Sequence, residues 1–134
     1  HMRHKLIAFE FHPDPDLQTI SGLSDQLRQV VLNIFLNAVE AMEPGGSLTV
    51  RTRNLFPQNE VLLTVKDTGP GIAPEILPRI FDAFITDKQT GTGLGLTITR
   101  DIIEQHFGRI KAENDPQGGA IFNIWFPVSG SQRK

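Results

Sequence analysis

Apolar positions recur in this chain at two periods, and the change from one to the other lays out the elements. Between residues 25 and 42, Leu27, Val30, Val31, Leu32, Ile34, Phe35, Leu36, Ala38, Val39 and Met42 crowd a helical pattern, which Glu43-Pro44-Gly45-Gly46 ends. Ser24 or Asp25 is placed to cap its first turn. A second long helix is predicted over residues 94–107, apolar at Leu94, Ile98, Ile102 and Ile103. A short one is predicted over 74–77, with Pro74 at an early helical position. Alternating or short apolar runs predict strands at 5–11, 47–53, 60–66, 109–113 and 119–128. His12-Pro13-Asp14-Pro15 stops the first, which reads as an edge or early strand. The second and third are joined by a turn around Pro57-Gln58-Asn59, and the last two form a hairpin through Asp115-Pro116-Gln117-Gly118. Strands interleaved with long helices predict an α+β fold with helices packed on one face of a mixed sheet.

The bulk properties narrow the class without choosing a function. At 134 residues, 39% of them hydrophobic, the chain fits a single globular domain over 1–134 that buries a core without staples. His1-Met2 reads as a cloning scar and 129–134 as a frayed tail, so the chain is expected to be an excised part of a longer protein. A net charge of -2 gives no argument for nucleic acid or for direct membrane contact. The absence of cysteine excludes disulfides, zinc fingers and thiol chemistry, and is compatible with a cytoplasmic setting. Neither a bilayer-spanning run nor a signal peptide is visible.

Chemistry enters on the first helix. Projected at about 100° per residue, Gln26, Gln29, Asn33, Asn37 and Glu40 fall in one narrow band on a helix that is otherwise apolar apart from Arg28. The band is either an ordinary solvated stripe or the wall of a cleft. In the second case Asn33 and Asn37, one turn apart, point amide oxygens at a hard cation and phosphates, and an amide carbonyl suits magnesium.

Two glycine loops follow. Asp67-Thr68-Gly69-Pro70-Gly71 comes after an apolar strand, with Asp67 just past its end. A carboxylate there can accept a hydrogen bond from an exocyclic amine such as that of adenine, while Gly69 and Gly71 let the backbone approach a flat ring. A plain turn is the alternative. Asp-Thr-Gly is also the aspartic-protease signature, but Pro70 and the long helices do not suit that all-β fold. Gly91-Thr92-Gly93-Leu94-Gly95 runs straight into the later helix, whose N-terminus can seat a triphosphate. Its spacing is neither the dinucleotide fingerprint nor a Walker loop. Between the loops, Ile80-Phe81-Asp82-Ala83-Phe84 supplies two aromatics, and the polar stretch 85–90, containing Lys88, reads as a lid. The order and spacing of these pieces read as a purine nucleoside triphosphate site.

Asn33-x-x-x-Asn37, Asp67-x-Gly69-x-Gly71, Phe81-x-x-Phe84 and Gly91-x-Gly93-x-Gly95 resemble, in order, the N, G1, F and G2 boxes of the catalytic ATP-binding domain of sensor histidine kinases. The resemblance covers about residues 22–128, and Asn37-Ala38-Val39-Glu40-Ala41-Met42 with the short lid looks most like the nitrogen-regulation branch. It implies a two-layer α/β sandwich of the Bergerat type, a mixed sheet covered by about three helices. It also implies ATP and Mg2+ as ligands: Asn37 on magnesium, Asp67 on adenine with Gly69, Gly71, Ile72 and Phe84 around the base, and Gly91, Thr92, Gly93, Leu94, Gly95 and Leu96 along the phosphates. Asn33 and Lys88 would carry the catalytic roles.

The chain departs from the family pattern at a few positions. Glu40 and Ala41 stand where many members carry a lysine and an aromatic, leaving Lys88 as the lid cation for the γ-phosphate. Ala83 replaces a usual proline, and Phe107 a glycine. Relatives that hydrolyse ATP, such as gyrase, place a glutamate base at the position of Asn33, and an amide cannot take a proton. The resemblance therefore implies transfer of the γ-phosphate to a histidine on an upstream dimeric helical domain, with a response regulator downstream. His1, His4, His12 and His106 lack the surroundings of a phosphoacceptor. A non-catalytic ATP-gated interaction module and a hydrolytic ATPase remain the alternative readings.

Overall fold

Strict alternation in the last strand shows how the two layers meet. The computed structural model describes residues 7–16, 24–42, 45–82 and 95–128. These form β1 (Ala8–His12), α1 (Ser24–Ala41), β2 (Ser47–Leu55), β3 (Glu60–Asp67), a 3-10 turn at Leu77–Arg79, α2 (Gly95–Gln105), β4 (Arg109–Asn114) and β5 (Ala120–Pro127). In β5, Ala120, Phe122, Ile124 and Phe126 are buried, while the residues between them are half-buried. Cross-strand pairs put Val65 opposite Phe122, Val61 opposite Phe126, and Val50 opposite Val65, so one apolar face runs across β2, β3 and β5. Against it pack Val30, Ile34 and Ala38, a four-residue step on α1, then Met42 just past its end, together with Ile102 and Ile103 of α2.

The sheet order is β1-β2-β3-β5-β4. Only β1 and β2 are parallel, which makes the sheet mixed as expected, and β1 lies at an edge as its proline stop predicts. β5 is the last strand in sequence order among the described residues yet sits inside the sheet, between β3 and β4. On the face away from the helices, Arg109 stacks over Trp125 at 4.5 Å and pairs with Glu60 at 2.8 Å, covering the indole with a charged group.

The structure corrects the sequence reading in places. The expected α+β layering holds, with two α-helices and one 3-10 turn among the described residues, but details differ. Residues 74–77 do not form the short helix: residues 74–76 are a turn, and the 3-10 turn follows at Leu77–Arg79, where Pro78 rather than Pro74 sits in its first positions. Asp67 is the last residue of β3, not a residue beyond it. The first helix is less enclosed than its composition implies, since Leu32 and Leu36 are 53% and 49% exposed. Ile98, placed on the apolar face of the later helix, is 43% exposed, and Thr99 is fully buried instead. Periodicity fixes the angle between side chains but not which angle a neighbour covers. The later helix also stops early, because Phe107 adopts a left-handed φ of 64°. The Gly108 N–H then reaches the Ile103 carbonyl and the Phe107 N–H the Glu104 carbonyl, the paired bonds of a Schellman cap.

Candidate functional site

The pleat of β3 turns Asp67 to the same side as Val61 and Val65, and leaves it only 3% exposed. A buried carboxylate must be hydrogen-bonded to be tolerated. Its Oδ1 accepts the Gly69 N–H at 2.8 Å and the Ala120 N–H at 3.1 Å. The first bond closes a local Asx turn, which is why a glycine loop follows the strand directly. The second comes from β5, fifty-three residues on. Two donors on one oxygen fix the plane of the carboxyl group and leave Oδ2 as the acceptor for a further donor.

Glycine is required at two positions around this carboxylate. At Gly119 (φ 93°) an added Cβ would run into the Asp67 carbonyl. At Gly71 (φ 83°) it would lie 2.8 Å from Oδ1 of Asn114. Gly69 has no left-handed φ, so its contribution is the donated N–H. The Ile72 side chain is buried in the core, while its N–H donates to Asn114 Oδ1 at 2.7 Å and its carbonyl accepts from Asn114 Nδ2 at 2.8 Å.

Asn33, in the polar band of α1, faces α2. Asn33 Nδ2 donates to Oγ1 of the buried Thr99 at 3.1 Å, so this amide helps hold the two helices together. Asn33 and Asn37 are half-buried, and Asn37 is also engaged in contacts. Thr99 lies one turn into α2, about 6 Å along the axis from Gly95, where the helix presents its unsatisfied N–H groups. Thr97 Oγ1 donates to the Phe81 carbonyl at 2.8 Å, tying the start of α2 to the turn that follows the 3-10 segment. Phe81 itself is a packing residue, edge-on to Phe122 with ring centroids 6.4 Å apart. Leu96 packs against the core.

Asn33, Asn37, Asp67, Gly69, Gly71, Ile72, Gly95 and Leu96 are thus placed, whereas Phe84, Lys88, Gly91, Thr92, Gly93 and Leu94 lie outside the described residues, as do the expected scar and tail. The sequence reading missed Asn114, Gly119, Ala120 and Thr99. Gly118-Gly119 carries a signal beyond a simple turn, but Asn114 carries none, since its partner is forty-two residues away. Among the described residues there is no group of three or more His, Cys, Asp or Glu able to hold a metal ion. The donor chemistry on α1 is that of neutral amides, which suits a cation arriving with its phosphates. A concavity of about 400 Å³ on the open sheet face, lined by Arg109, Lys111, Ala112, Glu113, Asn123 and Trp125, includes none of the predicted site residues.

A mixed sheet backed by helices, with a buried carboxylate at a strand end and glycines beside it, is the architecture of the two-layer α/β sandwich class. Residues 22–130 match the family of histidine kinase-, DNA gyrase B- and HSP90-like ATPases, and the chain belongs to it. It is 42% identical over 127 residues to the sensor histidine kinase ZraS of Salmonella typhi, covering 95% of this chain and 27% of ZraS. It is 36% identical over 124 residues to the sensory histidine kinase/phosphatase NtrB of Salmonella typhimurium, covering 86% of this chain and 35% of NtrB. The chain therefore spans about a third or less of these relatives' length. Among solved structures, the catalytic domain of histidine kinase ThkA superposes with a TM-score of 0.83 at 34% identity, over 95% of this chain and 82% of that one. ThkA in complex with the response regulator TrrA gives 0.78 at 30%, over 95% and 36%. Full-length ShkA in complex with AMPPNP gives 0.78 at 31%, over 91% and 26%. In the described residues no helix is long and apolar enough to cross a membrane.

Proposed function

We propose that this domain binds Mg-ATP and passes its γ-phosphate to a histidine on a separate upstream dimeric helical domain of the parent protein, a two-component sensor kinase whose product is read by a response regulator. The observation that carries the reading is the buried Asp67 carboxylate, held at Oδ1 by two backbone N–H groups so that, among the described residues, Oδ2 is left to accept from a further donor. The exocyclic amine of adenine is such a donor. The kinase names of the relatives, the AMPPNP in ShkA and the response regulator beside ThkA support the same reading.

In this scheme Asn37 ligates the magnesium, Gly69, Gly71, Ile72 and Phe84 frame the base, and Gly91, Thr92, Gly93, Leu94, Gly95 and Leu96 line the phosphates. Lys88 neutralises charge on the γ-phosphate. The bond from the γ-phosphorus to the β,γ-bridging oxygen breaks as an imidazole nitrogen bonds to phosphorus, and ADP leaves with the electron pair. Little covalent chemistry is asked of the protein, which positions and neutralises. Asn33 offers no base, and its bond to Thr99 gives it a second task in setting α1 against α2.

The test is radiolabelled ATP. The chain alone is expected to bind Mg-ATP, hydrolyse it slowly and remain unlabelled, and addition of the parent's upstream segment is expected to yield acid-labile phosphohistidine on that segment. Binding without label transfer would favour an ATP-gated interaction module. Steady turnover by the chain alone would favour a hydrolytic ATPase.

A further inference from the structure

Asn114 ends β4 and makes a two-point clamp on one peptide group pair of the first glycine loop. Its Oδ1 takes the Ile72 N–H at 2.7 Å and its Nδ2 gives to the Ile72 carbonyl at 2.8 Å. A primary amide sets a donor and an acceptor on two neighbouring atoms, whereas a hydroxyl has both on one atom and a carboxylate or an aliphatic group lacks the donor. The same side chain occupies the space a Cβ at Gly71 would need, 2.8 Å from Oδ1 and 3.3 Å from Cγ. So the clamp and the glycine are one arrangement.

The other end of that loop is Asp67, and it is gripped by the Ala120 N–H at 3.1 Å. Asn114 and Ala120 are paired residues of the β4–β5 ladder. A single rung of the sheet therefore holds both ends of residues 67–72, the carboxylate through Ala120 and the far side through Asn114. The spacing between Asp67 and the Gly71 backbone is set by that rung rather than by the loop, whose glycines alone would let it vary.

We infer that Asn114 is a positioning residue for base recognition: without touching the nucleotide, it fixes the glycine loop relative to Asp67 so that an adenine edge is accepted and a guanine edge refused. The inference rests on the nucleotide reading above and goes beyond it, since it assigns base selectivity to a residue outside every box. With the clamp removed, the loop can shift, and the carboxylate no longer reads the ring edge at a fixed distance. Phosphate binding at the start of α2 is served by other residues and should be left alone.

The test compares wild type, Asn114→Ala and Asn114→Ser by calorimetry with ATP and GTP, and by competition with inorganic tripolyphosphate, after circular dichroism and melting have shown which variants fold. For Asn114→Ala we expect about a tenfold loss of ATP affinity, a narrowing of the ATP-to-GTP ratio by a similar factor, and unchanged tripolyphosphate binding. Asn114→Ser, which keeps a shorter polar group, should fall between. If the alanine variant does not fold, the ratio is read on the serine variant; if neither folds, Asn114 is a folding element and the inference fails. It fails equally if a folded variant keeps the wild-type ratio, or if all three ligands weaken alike. Wild type that binds no ATP would instead overturn the nucleotide reading itself.

Discussion

At the scale of single residues, Asp67 is tightly constrained. Its charge is buried, its Oδ1 is taken by two backbone donors, and Oδ2 is the part that can meet a ligand. Asp67→Asn keeps an oxygen for both backbone bonds but presents an NH2 where an acceptor stood, so the fold should survive while recognition of an amine does not. ATP and ADP affinity should fall together by about 10- to 100-fold, as for loss of a charged hydrogen bond of about 1.5–3 kcal/mol. Wild type should prefer ATP to GTP, and calorimetry with equal affinities for the two would remove the carboxylate from base recognition. Asp67 was legible in the sequence because a carboxylate, a strand end and glycines stand within five positions. Asn114 was not, because nothing local marks an asparagine whose partner is brought to it by strand pairing.

At the scale of elements, periodicity located α1, α2 and all five strands, and failed where a neighbour's position decides the outcome. Leu32, Leu36 and Ile98 are apolar but uncovered, and Thr99 is polar but enclosed against Asn33. The end of α2 shows local chemistry losing to geometry. Phe107 holds a left-handed φ of 64° that a bulky side chain disfavours, and at 69% exposure it gains little from packing. Relief of about 1–2 kcal/mol of backbone cost, less about 0.5–1 kcal/mol for the greater freedom of glycine in the unfolded chain, should leave Phe107→Gly more stable. A rise of about 2–4 °C in melting temperature is expected, and a fall would mean that the ring makes contacts worth more than the strain.

At the scale of the whole molecule, two carboxylates bind connecting segments to the sheet. Asp14 accepts the Asp16 and Asn54 N–H groups, and these bonds hold its carboxyl below the usual range. Asp115 is held low first by its hydrogen bond to Lys66, at 2.8 Å, and then by the Gln117 N–H. Groups with a lowered folded-state pKa stabilise above their unfolded value, about 3.9, and that contribution is lost as pH falls through the folded value. Melting temperatures measured from pH 6 downward should therefore drop below about pH 4, and Asp115→Asn should flatten that drop while lowering stability near neutrality. An unchanged acid slope in the variant would show that Asp115 plays no part. The place of β5 inside the sheet has a consequence for how the protein is made. β5 supplies the Ala120 amide to Asp67, lines the core with Phe122 and Ile124, and pairs with both β3 and β4. Until residues 120–127 have emerged during synthesis, β3 has β2 alone beside it and Asp67 Oδ1 takes a single backbone N–H, so no nascent fragment that stops short of residue 120 should intercept nucleotide on the ribosome.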